Sequence, residues 1–333
     1  MKLTTTLKNE YKDVTSNKIE VLSQTQESES VSKIINVYKQ WYSEREESWT
    51  RGVTGSSMED TIRFLNKHFE SKLYTPKDIT DFSFTLHSFQ EKENFFISGK
   101  FLTALMRLHY QKTKYAREYL FVTEHLEKKL DRLCSNIDGE TVLIQGNGGE
   151  YLGTGMLNGT VTISENVEIG AGFNMKNGKI VVEGNAGDYI GHGMENGSIT
   201  VKKNVGDDLG KEMIGGTIII EGNSGECAGN QMQSGSIEIY GNTEKDLGVF
   251  MGRNFIGGFS FSFRKKPTIT VFGSAGDYVG NSMDNGKIML YGSYGSIAKS
   301  FINGKIYHNN KIIESGFRKK MRNFEFLFGG EYK

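Results

Sequence analysis

The chain has 333 residues, with 40 Lys and Arg against 40 Asp and Glu, and the same balance within residues 1–140 leaves no charged field to attract nucleic acid or an anionic membrane. Two cysteines, Cys134 and Cys227, exclude a disulfide framework and offer no metal-binding spacing. No apolar run approaches the roughly 18 residues of a membrane span, and the polar start Met1 to Ile19 lacks a signal-peptide core, so the expectation is a soluble chain in a reducing, cytoplasmic setting with neither nucleic acid nor membrane as partner.

Glycine divides the chain, because only Gly52, Gly55, Gly99 and Gly139 of its 41 glycines precede residue 141. Residues 1–27 are rich in Lys, Thr, Glu, Ser and Gln and are expected to form a flexible leader. Residues 28–135 are expected to form a small helical or α+β unit. From Ser30 onward, Val31, Ile34, Ile35, Tyr38, Trp41 and Tyr42 fall on a helical stripe. Ser56 and Glu59 have capping-box spacing before Ile62, Phe64, Leu65 and Phe69, and Thr75-Pro76 suits a third helix start. Phe82, Phe84 and Leu86 alternate as a strand would. Phe95 to Lys100 suggests a strand turning into a helix that carries Phe101, Leu105, Met106 and His109. A helix or strand through Leu120 and Val122 follows, and then a lead-in from Leu126 to Leu133. The unit is expected to cap the open end of what comes next.

From residue 136 to 310 the sequence keeps a nineteen-residue beat. Methionine recurs at Met156, Met175, Met194, Met213, Met232 and Met251. Asparagine recurs at Asn147, Asn166, Asn185, Asn204, Asn223 and Asn242, and glycine at Gly153, Gly172, Gly191, Gly210, Gly229 and Gly248, resuming at Gly280. A second glycine column runs through Gly159, Gly178, Gly197, Gly216 and Gly235. Val161, Ile180, Ile199, Ile218 and Ile237 alternate with outward residues before Ile163, Val182, Val201, Ile220 and Ile239, as strands with one buried face do. Such a unit cannot bury its own apolar face and must stack on copies of itself, which predicts a mainly β chain built as a parallel β-helix. The glycines are expected to supply left-handed corners, and the asparagine column to stack its amides from rung to rung.

Thirteen extra residues interrupt the beat between Met251 and Met283. This insertion, residues 252–266, carries Phe255, Phe259, Phe261, Phe263 and Arg264, and Phe255 to Phe259 reads as a hairpin with a Gly-Gly turn. Its aromatic face either folds back on the chain, docks another subunit or stacks bases. Residues 311–333, with Phe317, Phe324, Phe326, Leu327 and Phe328, are expected to cap the last coil.

Chemistry is sparse. His68, His87, His109 and His125 show no paired metal spacing, and His192 stands alone between Gly191 and Gly193. Glu150, Asp188, Asp207, Glu226 and Asp277 share one turn column, where they either line a cation stripe or serve as solvated turn residues. No helix follows the glycine-rich stretches, and neither a phosphate-binding GxxxxGK[ST] nor a GxSxG motif occurs. The sequence therefore points to no catalytic residues, no cofactor and no metal.

The repeat G-N-x-G-[DE]-Y-[ILV]-G-x-x-M-x-x-G-x-[IV]-x-[IV], carried by Gly146 to Ile163, Gly184 to Val201, Gly222 to Ile239 and Gly273 to Leu290, resembles the GXGXG repeat. That repeat closes the large subunit of glutamate synthase and makes up most of the C subunit of formylmethanofuran dehydrogenase. Phe96 to Leu105 also resembles the lead-in before such repeats. The resemblance implies a right-handed β-helix that holds catalytic domains or subunits of an oxidoreductase in place without chemistry of its own. It covers about half the chain, which carries no amidotransferase, flavin or iron–sulfur domain. Two alternatives stay open. One is a self-contained enzyme with a site between the amino-terminal unit and the rod, using His192, Asp188 or amino-terminal acids. The other is a homo-oligomeric module that binds a small anion or a sugar.

Overall fold

The computed structural model describes residues 28–50, 57–69, 74–92, 94–114, 118–252 and 266–316, without the side chains of 46–50 and 316. Four helices come first: α1 (Glu29–Thr50), α2 (Met58–His68), α3 (Pro76–Thr85) and α4 (Ser98–Thr113). Eleven strands then form one sheet in chain order: β1 (Glu118–Val122), β2 (Asp138–Gln145), β3 (Asn158–Ile163), β4 (Lys179–Val182), β5 (Ser198–Val201), β6 (Thr217–Ile220), β7 (Ser236–Ile239), β8 (Thr268–Val271), β9 (Lys287–Leu290), β10 (Gly304–His308) and β11 (Lys311–Gly316). The chain is a β-solenoid preceded by a small helical region. Strands β1 to β10 pair in parallel, and β11 closes the row as an antiparallel hairpin. At about 4.8 Å per rung the ten parallel strands span on the order of 40 Å.

The strands form because each contributes two inward β-branched or aliphatic residues, as in Ile199 and Val201, with neighbours in exact nineteen-residue register from β3 to β7. The methionine column from Met156 to Met251, resuming at Met283, is fully buried beside them. A further column, Val167, Ala186, Val205, Ser224, Thr243 and Ala275, closes the third side of the cross-section with small or hydroxyl side chains. There Ser224 Oγ donates to Thr243 Oγ1 at 2.9 Å, so the hydroxyls satisfy each other inside the rod.

The helical region differs from the sequence expectation in three places. Phe82, Phe84 and Leu86 are not a strand. Thr75 and Asp78 form a capping box with Pro76 in the first turn of α3, and a 3₁₀ turn from Leu86 to Phe89 follows. The alternation arises because α3 is buried on two sides. Phe82 faces Tyr38 and Phe101 in the helical core, with ring centroids 5.5 and 5.7 Å away, while Phe84 clusters with Leu120, Val122 and Leu143 of the sheet. Phe95–Ile97 is likewise a 3₁₀ turn rather than a strand, running directly into α4. The capping box of α2 is Ser57 with Asp60, one residue later than the Ser56 and Glu59 spacing suggested. The parallel ladder also begins one rung earlier than residue 136, since Glu118 to Val122 pair with Thr141 to Gln145.

The helical unit closes the open end of the rod by supplying partners to the first rung. Thr80 Oγ1 donates to the Leu120 carbonyl at 2.8 Å and Ser83 Oγ accepts the Val122 N–H at 3.1 Å. Asp131 N–H bonds the Phe96 carbonyl at 2.9 Å, and Cys134 N–H bonds Thr103 Oγ1 at 2.9 Å. Backbone groups that a preceding rung would otherwise take are thus occupied by helix side chains and turns.

Candidate functional site

The seven glycines Gly153, Gly172, Gly191, Gly210, Gly229, Gly248 and Gly280 all have φ between 63° and 73°. Left-handed backbone alone does not explain them. Two residues earlier the chain is also left-handed at Tyr151, Tyr189, Asp208, Cys227, Asp246 and Tyr278, and two residues later at Asn174, Glu212, Gln231, Phe250 and Ser282. Side chains are tolerated there, at a cost of about 1 kcal/mol each. What excludes them from the glycine column is space. A Cβ on Gly191 would lie 2.5 Å from Ile218 Cδ1, and one on Gly229 2.3 Å from Ile269 Cδ1. Each corner glycine is the seat for an isoleucine of a strand further along the rod. The same stretch of backbone forms a second ladder, since Gly191 N–H bonds the Ala171 carbonyl behind it while Tyr189 and Gly193 bond Asp207 and Lys211 ahead.

The asparagines stack from rung to rung, and their side chains serve turn backbone groups of the next rung. Their side-chain oxygens accept the backbone N–H of the residue one rung on, from Asn166 onto Asn185 at 2.8 Å through Asn204 onto Asn223 at 2.9 Å to Asn242 onto Ser274 at 2.8 Å. Amide-to-amide contact occurs between Asn147 and Asn166 and between Asn166 and Asn185. The acidic turn column works in the same way. Asp131 Oδ1 accepts Glu150 N–H, Asp188 accepts Asp207 N–H and Asp207 accepts Glu226 N–H, at 2.9, 2.9 and 2.7 Å. Glu226 pairs with Lys245, and Asp277 accepts the Ser296 hydroxyl. Among the described residues, no three His, Cys, Asp or Glu side chains are grouped to hold a metal ion.

His192 lies on the rod. Its ring stacks on Phe173 with centroids 4.7 Å apart, its Nε2 is 3.9 Å from Glu212, and burial lowers its pKa. Beside it Asp208 accepts from both Lys211 and Asn230. The interactions of His192 and Asp188 are with rod residues, so the structure does not bring them to the amino-terminal unit. At that seam stand His109, Tyr119 and Glu140. Tyr119 Oη lies 3.0 Å from His109 Nδ1, and Glu140 Oε2 accepts Asp138 N–H at 2.6 Å. Burial lowers the pKa of His109 and raises those of Glu140 and Tyr119. All three are at most 5% exposed, so a substrate in solvent meets none of them. Cys134 is also buried, with its thiol pushed up by desolvation, and Cys227 is shifted the same way by partial burial and neighbouring acids. Neither has the depressed pKa of a nucleophile. A groove of about 530 Å³ beside α1 is lined by Glu29, Ser32, Lys33, Asn36, Phe69 and Tyr74, among others.

The outward face of the sheet runs the length of the ladder. Strand registers align Leu120, Leu143, Thr162, Val181, Thr200, Ile219, Glu238, Thr270, Met289 and Tyr307 in one column. Beside it, one residue beyond each strand, runs the column Glu183, Lys202, Glu221, Tyr240, Phe272 and Tyr291. Lys202 and Glu221 form an ion pair, and the three aromatic rings stack at 4.7 and 5.2 Å. Sequence reading did not single out these outward columns. Counting every nineteenth residue would have found them, with a step of 32 across the insertion from Tyr240 to Phe272. Their ring faces cover each other, so solvent meets mainly the edges.

The candidate interface residues Phe255, Phe259, Phe261, Phe263 and Arg264 lie outside the described residues, as do 1–27 and 317–333. No described helix is long and apolar enough to cross a membrane. Compared with known proteins, the chain matches no family model and no curated protein.

Proposed function

We propose that the chain is a non-catalytic scaffold or assembly subunit of the cytoplasm, of the kind that the GXGXG resemblance suggests for glutamate synthase or formylmethanofuran dehydrogenase, and that its partners are protein subunits carrying the chemistry. The observation that supports this reading is the use the chain already makes of its outward sheet face. At β1 and β2 that face seats α3 through Phe84 on Leu120, Val122 and Leu143, and the same column continues through Val181, Thr200 and Ile219, half-buried and with no helix seated on them among the described residues. The polar columns of the turns support the reading from the other side, because they are engaged in bonds between rungs rather than turned toward a ligand.

A charge on the outward face tests it. Ile219 is half-buried on that face while Ile218 points inward, so Ile219→Arg leaves the core intact and places a cation where a partner would dock. Tagged parent and variant chains are expressed in their own cells and compared by affinity purification. The scaffold reading expects an oxidoreductase subunit to accompany the parent and to be depleted about tenfold or more with the variant, a loss of at least ~1.4 kcal/mol. Deleting residues 252–264 asks the same of the insertion. Equal recovery of the partner with both altered chains would remove docking from these two surfaces.

A further inference from the structure

The apolar cluster under α3 is separate from the main core. Phe84, Leu120, Val122 and Leu143 pack on one another, whereas Phe82, on the other side of α3, belongs to the core that continues from Val31 to Ile306. Beside this cluster, side chains of the helical unit hold the first rung. Ser83 Oγ accepts the Val122 N–H, and Gln90, just past the 3₁₀ turn, accepts the N–H groups of Glu127 and Lys128 through Oε1 at 2.6 and 3.0 Å. The amide nitrogen of the same Gln90 side chain lies 2.9 Å from His87 Nδ1. Into this seam the chain leaving β1 carries His125. Its ring stacks on Phe84 with centroids 5.5 Å apart and lies 6.4 Å from the ring of His87. Both ring nitrogens of His125 are closed off from solvent, and neither has a partner in hydrogen-bonding geometry.

A neutral imidazole fits such a place. An imidazolium does not, because it would carry an unpaired charge out of water and face a second imidazole. The acids that could compensate are engaged elsewhere. Glu124 accepts from Gln145 Nε2 at 3.2 Å, Asp78 closes the capping box at the far end of α3, and Asp81 pairs with Lys77 at 2.6 Å. Glu127 and Lys128 are exposed. We infer that His125 is an acid-operated latch: on taking up a proton it opens the seam between the carboxyl end of α3 and the first rung, so that solvent reaches Leu120, Val122 and Leu143, while Phe82 keeps α3 on the helical core. Burial and His87 lower the pKa of His125 to about 4, outweighing the carbonyls of Phe84 and Ser83, which favour the cation. The closed seam is therefore fully favoured above the free imidazole value near 6.5 and loses that advantage as pH falls toward 4. The opening stays local because coupling along a solenoid runs mainly between neighbouring rungs. The inference stands independently of the scaffold reading.

Amide hydrogen exchange on the full-length protein at pH 7 and pH 5, corrected for the intrinsic pH dependence of exchange, tests it. Protection of the Val122, Glu127 and Lys128 amides is expected to fall about tenfold or more at pH 5, while the β5 to β7 amides change by less than about twofold. His125→Phe keeps a ring on Phe84 without the proton site and should hold the seam equally closed at both pH values. Equal protection of the seam at pH 7 and pH 5 in the parent chain would overturn the inference, as would a fall shared by the whole rod. A fall that persists in His125→Phe would assign the proton to another group and overturn it equally. NMR titration of the His125 ring in the parent keeps the test independent of how well that variant folds. A midpoint well below the free imidazole value is expected, and one at about 6.5 or above would contradict the latch.

Discussion

Two glycines on one corner, either side of His192, separate backbone conformation from packing. Gly191 and Gly193 share a left-handed backbone, but a Cβ on Gly191 meets Ile218 Cδ1 at 2.5 Å inside the rod, whereas one on Gly193 meets only the end of the Asn174 side chain. Gly191→Ala is expected to destabilise by about 2–4 kcal/mol, from left-handed strain plus overpacking, and Gly193→Asn by less than about 1 kcal/mol. Denaturant unfolding checks both. Ile218→Val should return part of the loss in the double variant, giving a coupling of about 1 kcal/mol, and strict additivity would refute the contact. The left-handed corner was legible in the recurrence of glycine. The isoleucine that makes glycine obligatory was not, because it lies more than one rung away in sequence.

Two half-buried titratable groups act in opposite directions on acidification. Burial, with repulsion from Glu150 and Glu168, pushes Asp131 up to about 6. A carboxyl raised in the fold contributes stability that is present below its unfolded pKa near 4 and is lost as pH rises through about 6. Burial and the neighbouring His87 lower His125 to about 4. Its contribution is present above the unfolded value near 6.5 and is lost as pH falls toward 4. Asp131→Asn keeps an oxygen acceptor for Glu150 N–H, so it should raise the melting temperature at pH 7 and steepen the loss between pH 6 and pH 4. His125→Phe should flatten that loss. Thermal melts at pH 4, 5, 6 and 7 read both, and parallel curves for parent and variants would contradict the assignment.

Among elements, α3 shows where sequence patterning misleads. Its two buried sides place Phe82 and Phe84 two residues apart, which imitates a strand, and the capping box at Thr75 and Asp78 is the local feature that decides for helix. The strands of the rod were easier to read because nineteen-residue repetition averages over single positions, whereas the first rung at Glu118 to Val122 escapes the beat, being offset by 23 residues from its partner. Since a solenoid is coupled mainly between neighbours, damage at α3 should stay local. Phe84→Ala is expected to cost about 3 kcal/mol in docking energy. By amide exchange it should deprotect Leu120 and Val122 and leave β5 to β7 as before. Uniform loss along the rod would mean that the helical unit and the solenoid unfold as one.

At the scale of the molecule, the rod commits its repeated polar groups to its own coherence. The Asn and Asp side chains bond the next rung, the corner glycines seat isoleucines, and the helical unit occupies the first rung. Among the described residues, one long sheet face of mixed composition is left largely outside these bonds, with Val181 and Ile219 among polar neighbours and Lys287 and Lys305 beside Met289 and Tyr307. The period and the buried columns were open to reading in the sequence because they recur; the face was hidden by its irregular composition and by the insertion that breaks its spacing. Native mass spectrometry of the protein, purified gently from its own cells, tests the scaffold account most directly. A stoichiometric complex with a metal- or flavin-bearing subunit is predicted, while a lone chain or a homo-oligomer with turnover of its own would contradict it.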